Sequence, residues 1–567
     1  MHIILVYRIL PNSIIDTTAL SPPSIAGSAR AALWLEKLSS SSLLTFATIG
    51  ALMTAAPVLV LLWLAFSPQG GWETLEHLAR TVLPAALASS LALAAIVLAV
   101  VLVAGVGCGW LVAAYEFPGR RWLSWALVLP LSMPAFVMAY AYTDFLDTSG
   151  ALQSWFRNVS GLQVGEYLFP DVRSLPGAGL FLGLALYPYV YILARSAFAE
   201  RSPSLGEAAR SLGLGPRATW WRVTWPVARP AVAAGCALVL METLADFGTV
   251  SYFAVDTLTA SIYRSWQGMG DRIAAARLAL VLLLFVGLLV AAERRQRDRM
   301  RFYPRAAKPA PRIILSGWAG VRATALVSLP LLLGFVFPAL LLLRAWLAAS
   351  APIDERFGGW VMNSLLVALL AAALILPVAL ITAYAARLVR NRFIGFAVTL
   401  ACAGYALPGI VIGVGLMVLV GALDNLAGRL LLAGTIVAVV YAYGVRFFSI
   451  GYQGMEAALA RISPSMDQSA RSLGLGPFEV LREVHWPLLR PSMASAALLV
   501  FVDCLKELPA TLVLRPFNFD TLAVSAYHYA SDERLAEAAL PSLLIVAAGL
   551  LPVILLSRVA GRNVAGN

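Results

Sequence analysis

Two pairs of acidic residues stand where acids are costly. Glu242 and Asp246, and Asp503 and Glu507, lie in otherwise apolar stretches, four positions apart within each pair, and the pairs are 261 positions apart. A charge at the centre of a membrane-crossing helix costs roughly 2.5–3.5 kcal/mol on insertion scales, so such groups face a pathway or one another. An i,i+4 separation puts both carboxylates of a pair on one face of a helix, and oxygen donors of this kind suit hard cations. The competing reading is that these acids pair with Lys506 or with backbone groups and lock helices together. Tyr140, Tyr142, Tyr187, Tyr189 and Tyr191 are candidates for the same path, or else core and interfacial tyrosines. His485 and His528 belong to no metal-ligand spacing and read as surface residues. Cys108, Cys236, Cys402 and Cys504 lie in apolar segments without pairable spacing, as small buried hydrophobes do.

The elements that must position these groups are membrane helices. The chain has 567 residues, 60% hydrophobic and only 13% charged, with a mean hydropathy of +0.81. That excludes an ordinary soluble globular protein and gives the fold class as all-α polytopic membrane protein. Apolar stretches of the length that crosses a bilayer recur along the chain. About twelve spans are expected: 42–66, 84–114, 122–146, 178–198, 230–253, 273–292, 321–346, 361–386, 394–420, 430–452, 491–514 and 536–557. Glu242 then lies ~18 Å deep, at 1.5 Å per residue from the start of its span.

Basic residues set the orientation. The net charge is +12, which in a membrane protein marks cytoplasmic loops rather than a nucleic-acid partner. The stretch from Arg294 to Arg312 carries eight basic residues against the single acid Asp298, and "EFPGRR" and "RLVRNR" are also basic. Loops on the opposite side, such as Thr143 to Arg173, carry more acid than base. Even-numbered spans therefore end in the cytoplasm, and so do both termini. "MHIILVYRIL", interrupted by Arg8, is too short for a signal segment, which makes residues 1–41 a cytoplasmic tail.

The chain also repeats itself. "SPSLGEAARSLGLGP" from Ser202 returns as "SPSMDQSARSLGLGP" from Ser463, Pro134 aligns with Pro408, and "DTLTASIY" from Asp256 aligns with "DTLAVSAY" from Asp520. Six spans per copy give two halves of the same orientation, a parallel repeat about an axis along the membrane normal, enclosing a path between them. The halves are 42–293 and 317–567, joined by a basic cytoplasmic linker at 294–316.

In each polar copy a serine N-cap and a proline start a short helix. Leu205, Ala209 and Leu212, or Met466, Ala470 and Leu473, form its apolar face. Gly213 or Gly474 supplies a left-handed stop, and a second short helix runs from Gly215-Pro216 or Gly476-Pro477 to a predicted end ahead of Pro226 or Pro487. The alternatives are an interfacial anchor or a DNA-reading helix-turn-helix, the latter tethered at both ends to the membrane.

Glu207-Ala208-Ala209, Gly213, Val223 and Trp225-Pro226, at this spacing, resemble the EAA signature of the ABC importer permeases, of the type I, MetI-like kind. The family has Ile and Leu-Pro where this chain has Val and Trp-Pro. Gln468-Ser469-Ala470, Gly474, Val484 and Trp486-Pro487 keep the spacing without the glutamate. The resemblance implies that both stretches are coupling helices, each seated on one of two copies of a cytoplasmic ABC ATPase. No phosphate-binding G-x-x-x-x-G-K-[ST] occurs in this chain, so it is expected not to be an enzyme, to hold no cofactor, and to leave Mg-ATP to the partner subunits. "MPAFVMAYAYTDFL", "ADFGTVSYFAVDTLTASIYRSW" and "KELPATLVLRPFNFDTLAVSAY" look like the fused, double-length ferric-iron uptake permeases, a resemblance covering nearly everything past residue 45. It implies a bacterial inner-membrane location, a periplasmic or lipoprotein iron-binding partner, and Fe(III) passing Glu242, Asp246, Asp503 and Glu507. Thiamine and phosphonate permeases share the fused layout, and an ion-coupled secondary transporter would also use repeats and buried acids.

Overall fold

The computed structural model describes residues 45–46, 48–67, 72–199, 207, 209, 211–300, 312–348, 353–389 and 392–565, with side chains of 72–75, of 292–300 and of those beyond 554 left aside. The N-terminal tail, Ala208, Ser202, Leu205 and residues 301–311 of the linker therefore lie outside the described residues.

Among the described residues, ten helices are long and apolar enough to cross a membrane: Thr48–Ala65, Val82–Ala114, Leu175–Ala199, Pro216–Ala245, Arg272–Ala291, Gly317–Ala348, Phe357–Leu388, Gly409–Ala427, Pro477–Leu505 and Leu535–Ile554. They account for ten of the twelve expected spans. The third is a bent pair, Arg120–Ser132 and Ala135–Ser160, meeting at 91°. The tenth is Ile436–Leu459, 24 residues long, made less apolar by Arg446, Gln453 and Glu456.

The third and ninth spans are not continuous helices, and proline is the reason. The residue before a proline is pushed out of the helical region. Met133 sits at φ −101°, ψ 111° ahead of Pro134, and Leu407 at φ −77°, ψ 131° ahead of Pro408. A new helix then starts behind each proline, at Ala135 and at Gly409.

The repeat is visible in matching hydrogen bonds. Thr257 and Thr521 each cap a short helix, Leu258–Tyr263 and Leu522–Ser531, by accepting from a backbone amide. The first amide of each helix is held from a span: Leu258 N–H donates to Ser90 Oγ at 3.0 Å, and Leu522 N–H to Ser364 Oγ at 2.8 Å. Ser90 and Ser364 occupy the same place in spans two and eight.

The two halves are entwined. One buried core joins spans two to five to residues of the seventh and twelfth, such as Val327 and Ile545. The other joins spans eight to eleven to residues of the first and sixth, such as Leu61 and Leu282. The sixth helix runs on to Met300, into the start of the predicted linker. The far end of the linker, Ile313–Ile314, pairs in parallel with Tyr115–Glu116 after the second span.

Candidate functional site

The fifth and eleventh spans are broken at the acids themselves. The fifth helix ends at Ala245, and Asp246 turns extended at φ −64°, ψ 135°. Its carboxylate accepts from the amides of Thr249 and Val250, both at 3.1 Å, and from the Thr249 hydroxyl at 3.1 Å. It thereby starts the short helix Gly248–Tyr252. The eleventh helix ends at Leu505, and Glu507 Oε1 accepts from Ala510 N–H at 3.1 Å, opening the helix Pro509–Leu514. The expectation that each acid pair shares one face of a continuous helix is thus corrected. The second acid of each pair lies past the break and satisfies amides that a new helix leaves unpaired. Irregular backbone at membrane depth is tolerated where it lines a cavity, and it does so here.

That cavity, about 140 Å³, lies between the halves and is lined by all four acids, Glu242, Asp246, Asp503 and Glu507. Pro134 and Ala135 reach it from the third span, Tyr189 from the fourth, and Tyr405, Arg446 and Lys506 from the second half. Tyr405 donates to Glu242 Oε1 at 2.9 Å, a contact from one half to the other. Lys506 Nζ lies 2.7 Å from Asp503 Oδ1, so the lysine takes the earlier acid of its pair rather than the adjacent Glu507. Glu507 instead pairs with Arg446, Nε to Oε2 at 3.2 Å. Four carboxylates against two cations leave the cavity with a formal charge of −2. Gly409 makes this arrangement possible: a Cβ there would lie 2.4 Å from Glu507 Oε1 and 2.7 Å from an Arg446 guanidinium nitrogen.

Each carboxylate is thus committed to a protein partner. Among the described residues no three His, Cys, Asp or Glu side chains gather closely enough to hold a metal ion. The expected transit of Fe(III) past Glu242, Asp246, Asp503 and Glu507 concerns these same four side chains, all on the cavity wall. Tyr140 and Tyr142 are also corrected. They lie further along the helix that begins at Ala135, away from the cavity, with Tyr140 packed on Tyr252 at 4.5 Å between centroids and Tyr142 donating to Leu333 O at 2.6 Å. Of the five tyrosines only Tyr189 faces the acids; Tyr187 and Tyr191 are core residues. Sequence reasoning missed Tyr405 and Arg446. Arg446 carried a signal, being a lone guanidinium inside a span. Tyr405 carried none beyond its place three residues before Pro408.

The second polar stretch forms as expected up to its turn, and the described part of the first ends in the matching turn. Ser463 caps the helix Pro464–Ser472, accepting from Ser465 N–H, and Gly213 and Gly474 are left-handed at φ 78° and 87°. Beyond the turns the prediction fails. No helix ends ahead of Pro226 or Pro487. A π-helical turn, Trp220–Thr224 or Val480–His485, joins each second short helix to the span behind it. The proline then falls in the first turn of the following α-helical stretch, and the local change of register absorbs its missing donor.

Ala209 and Ala470 are buried, as predicted for the apolar face, while Leu212 and Leu473 are 80% and 83% exposed. Glu207, Gln468 and Ser469 are not buried either. Each stretch therefore presents an uncovered leucine and polar groups away from the body. His485 is no surface residue: it is fully buried, with Nε2 2.8 Å from Asp467 Oδ1.

Comparison with known proteins bears on this geometry. Residues 102–292 match the family described as binding-protein-dependent transport system inner membrane component. The chain is 26% identical over 464 residues to an Fe(3+)-transport system permease protein of Haemophilus influenzae, covering 80% of this chain and 86% of the relative. It is 24% identical over 425 residues to the ferric transport system permease protein of Actinobacillus pleuropneumoniae, covering 70% and 60%. A putative 2-aminoethylphosphonate transport system permease protein of Salmonella typhimurium is 32% identical over 157 residues, which are 28% of this chain and 57% of that one.

Proposed function

The chain belongs to the permeases of binding-protein-dependent transport systems, and on that premise we infer that it is the membrane-spanning subunit of an ATP-driven importer of ferric iron. It is a transport subunit, not an enzyme. The observation that carries the substrate is the cavity between the repeats, walled by two carboxylates from each half and formally −2. Low-dielectric walls concentrate such a field and raise the local concentration of cations.

An external binding protein, periplasmic or lipid-anchored, hands the ion to the outer side of the chain. Two copies of an ATPase, each holding Mg-ATP, engage the polar stretches around Glu207, Ala208 and Ala209 and around Gln468, Ser469 and Ala470. The exposed Leu212 and Leu473 are apolar surface for them to cover. Closure of the ATPases swings the spans between outward and inward access, and the acids serve as transit contacts. Selective conduction needs binding strong enough to admit the ion and weak enough to release it. Both termini are cytoplasmic, as the basic loops require.

A phosphonate, being an anion, is disfavoured by the same cavity charge. Thiamine, a cation, is separated by competition: excess thiamine should leave iron uptake unchanged. Reconstitution with the partner ATPase and binding protein should give ATP-dependent uptake of radioactive iron. Glu242→Gln and Glu507→Gln should impair that uptake without disturbing assembly. Undiminished uptake in these variants would reject the acid-lined path, and transport that persists without any ATPase would point instead to an ion-coupled carrier.

A further inference from the structure

The helix Pro464–Ser472 is held to the membrane body by one largely buried cluster. Asp467 is its centre. Arg387, in the last turn of the eighth span, donates from Nε to Asp467 Oδ2 at 3.0 Å. The same guanidinium bonds the carbonyl of Leu459, the last residue of the tenth span, and that of Ile462 at 2.9 Å. It thus also satisfies carbonyls that a helix end leaves unpaired. His485, in the π-helical turn that opens the eleventh span, lies against the other Asp467 oxygen. Tyr384 of the eighth span packs its ring edge-on to His485 at 5.2 Å and donates to Pro477 O at 2.9 Å. Spans eight and eleven therefore meet on a single carboxylate, and the same arginine ties in the end of span ten. The first half has no such group in sequence: Gly206 and Thr224 stand where the second half has Asp467 and His485.

A nine-residue helix anchored only by the small side chain of Ala470 would pivot on its glycine turn. The cluster removes that freedom, so a push on the helix must move the spans it is tied to. Two of them, the tenth and eleventh, carry Arg446, Asp503, Lys506 and Glu507 into the cavity. We propose that Asp467, clamped by Arg387 and His485, is the positioning residue that makes the second polar stretch the rigid transmission element between ATPase and cavity, in the role the absent glutamate leaves open. The proposal rests on the importer reading above.

The test uses the full complex in proteoliposomes, with iron taken up and ATP hydrolysed measured together. ATP-dependent iron uptake by the unmodified complex comes first, since its absence would sink the importer reading and leave the tether unaddressed by that reading's failure. In a complex that does import, Asp467→Asn should keep the ATPase bound and hydrolysing while iron per ATP falls at least ~5-fold, the lower range of ordinary coupling between sites. Asp467→Glu should restore part of the ratio. Arg387→Lys keeps the charge but cannot reach the carboxylate and two carbonyls at once, and gives the same readout if Asp467→Asn fails to fold. An unchanged ratio in an assembled variant overturns the proposal. So does loss of ATPase binding in both variants, which would assign the cluster to docking itself.

Discussion

The two halves supply the cavity with the same carboxylates but not with the same cations. Glu242 and Asp246 match Asp503 and Glu507 position for position, whereas the counterparts of Arg446 and Lys506 in the first half are Ala185 and Ala245. The contrast continues at the exits beside the polar stretches. The second is held by the Arg387–Asp467 ion pair, with His485 packed against the same carboxylate. The first is held by aromatic packing: Trp220 stacks on Trp225 at 5.6 Å and meets Trp110 edge-on at 6.4 Å, and Trp110 in turn packs on Phe198 at 5.2 Å. One backbone plan, punctuated by the same glycines and prolines, is thus stabilised by two kinds of side-chain physics. The lesson is that the repeat conserves turns and helix breaks, while charge is free to collect on one side.

Removing a cation should break this contrast most severely. Arg446→Leu leaves Glu507 buried and uncompensated, which costs about 3–5 kcal/mol; thermal unfolding of the purified chain should show it, and iron uptake should be lost with it. Gly409→Ala attacks the same pair sterically and should cost ~1–3 kcal/mol by forcing apart a packed contact, visible as a smaller shift in the same melt. Trp220→Ala strips the aromatic exit of a half-buried ring and should cost about 2 kcal/mol, below the range for fully buried tryptophan. If it costs nothing, the aromatic cluster does not anchor the first exit. Gly213→Ala and Gly474→Ala should each cost ~1–2 kcal/mol for the left-handed backbone, and by equal amounts. Unequal losses would mean that the shared backbone plan is not shared in energy. Gln468→Glu, which restores the glutamate on an exposed position, should change stability by no more than ~0.5 kcal/mol, with any gain appearing as tighter ATPase binding.

Much of this was legible in the residues. Hydropathy runs marked the spans, and the 261-residue repeat paired Glu242 with Asp503 and Asp246 with Glu507. Gly213 and Gly474 announced left-handed turns because only glycine enters that region without strain. Local signals stopped at proline. Pro134 and Pro408 do break helices, while Pro226 and Pro487 do not, since a π-helical turn ahead of them removes the need for the donor they lack.

What the chain determined by itself was therefore everything set by local sterics and by solvent: membrane class, span positions, turn sites and the fact of repetition. Only the tertiary structure decided which charges meet. Lys506 takes Asp503 rather than its neighbour Glu507, Arg446 crosses from another span to Glu507, and His485 leaves the surface to lie against Asp467. An ion pair depends on distances of a few ångströms between helices far apart in sequence, and no spacing along the chain encodes which helices will pack side by side.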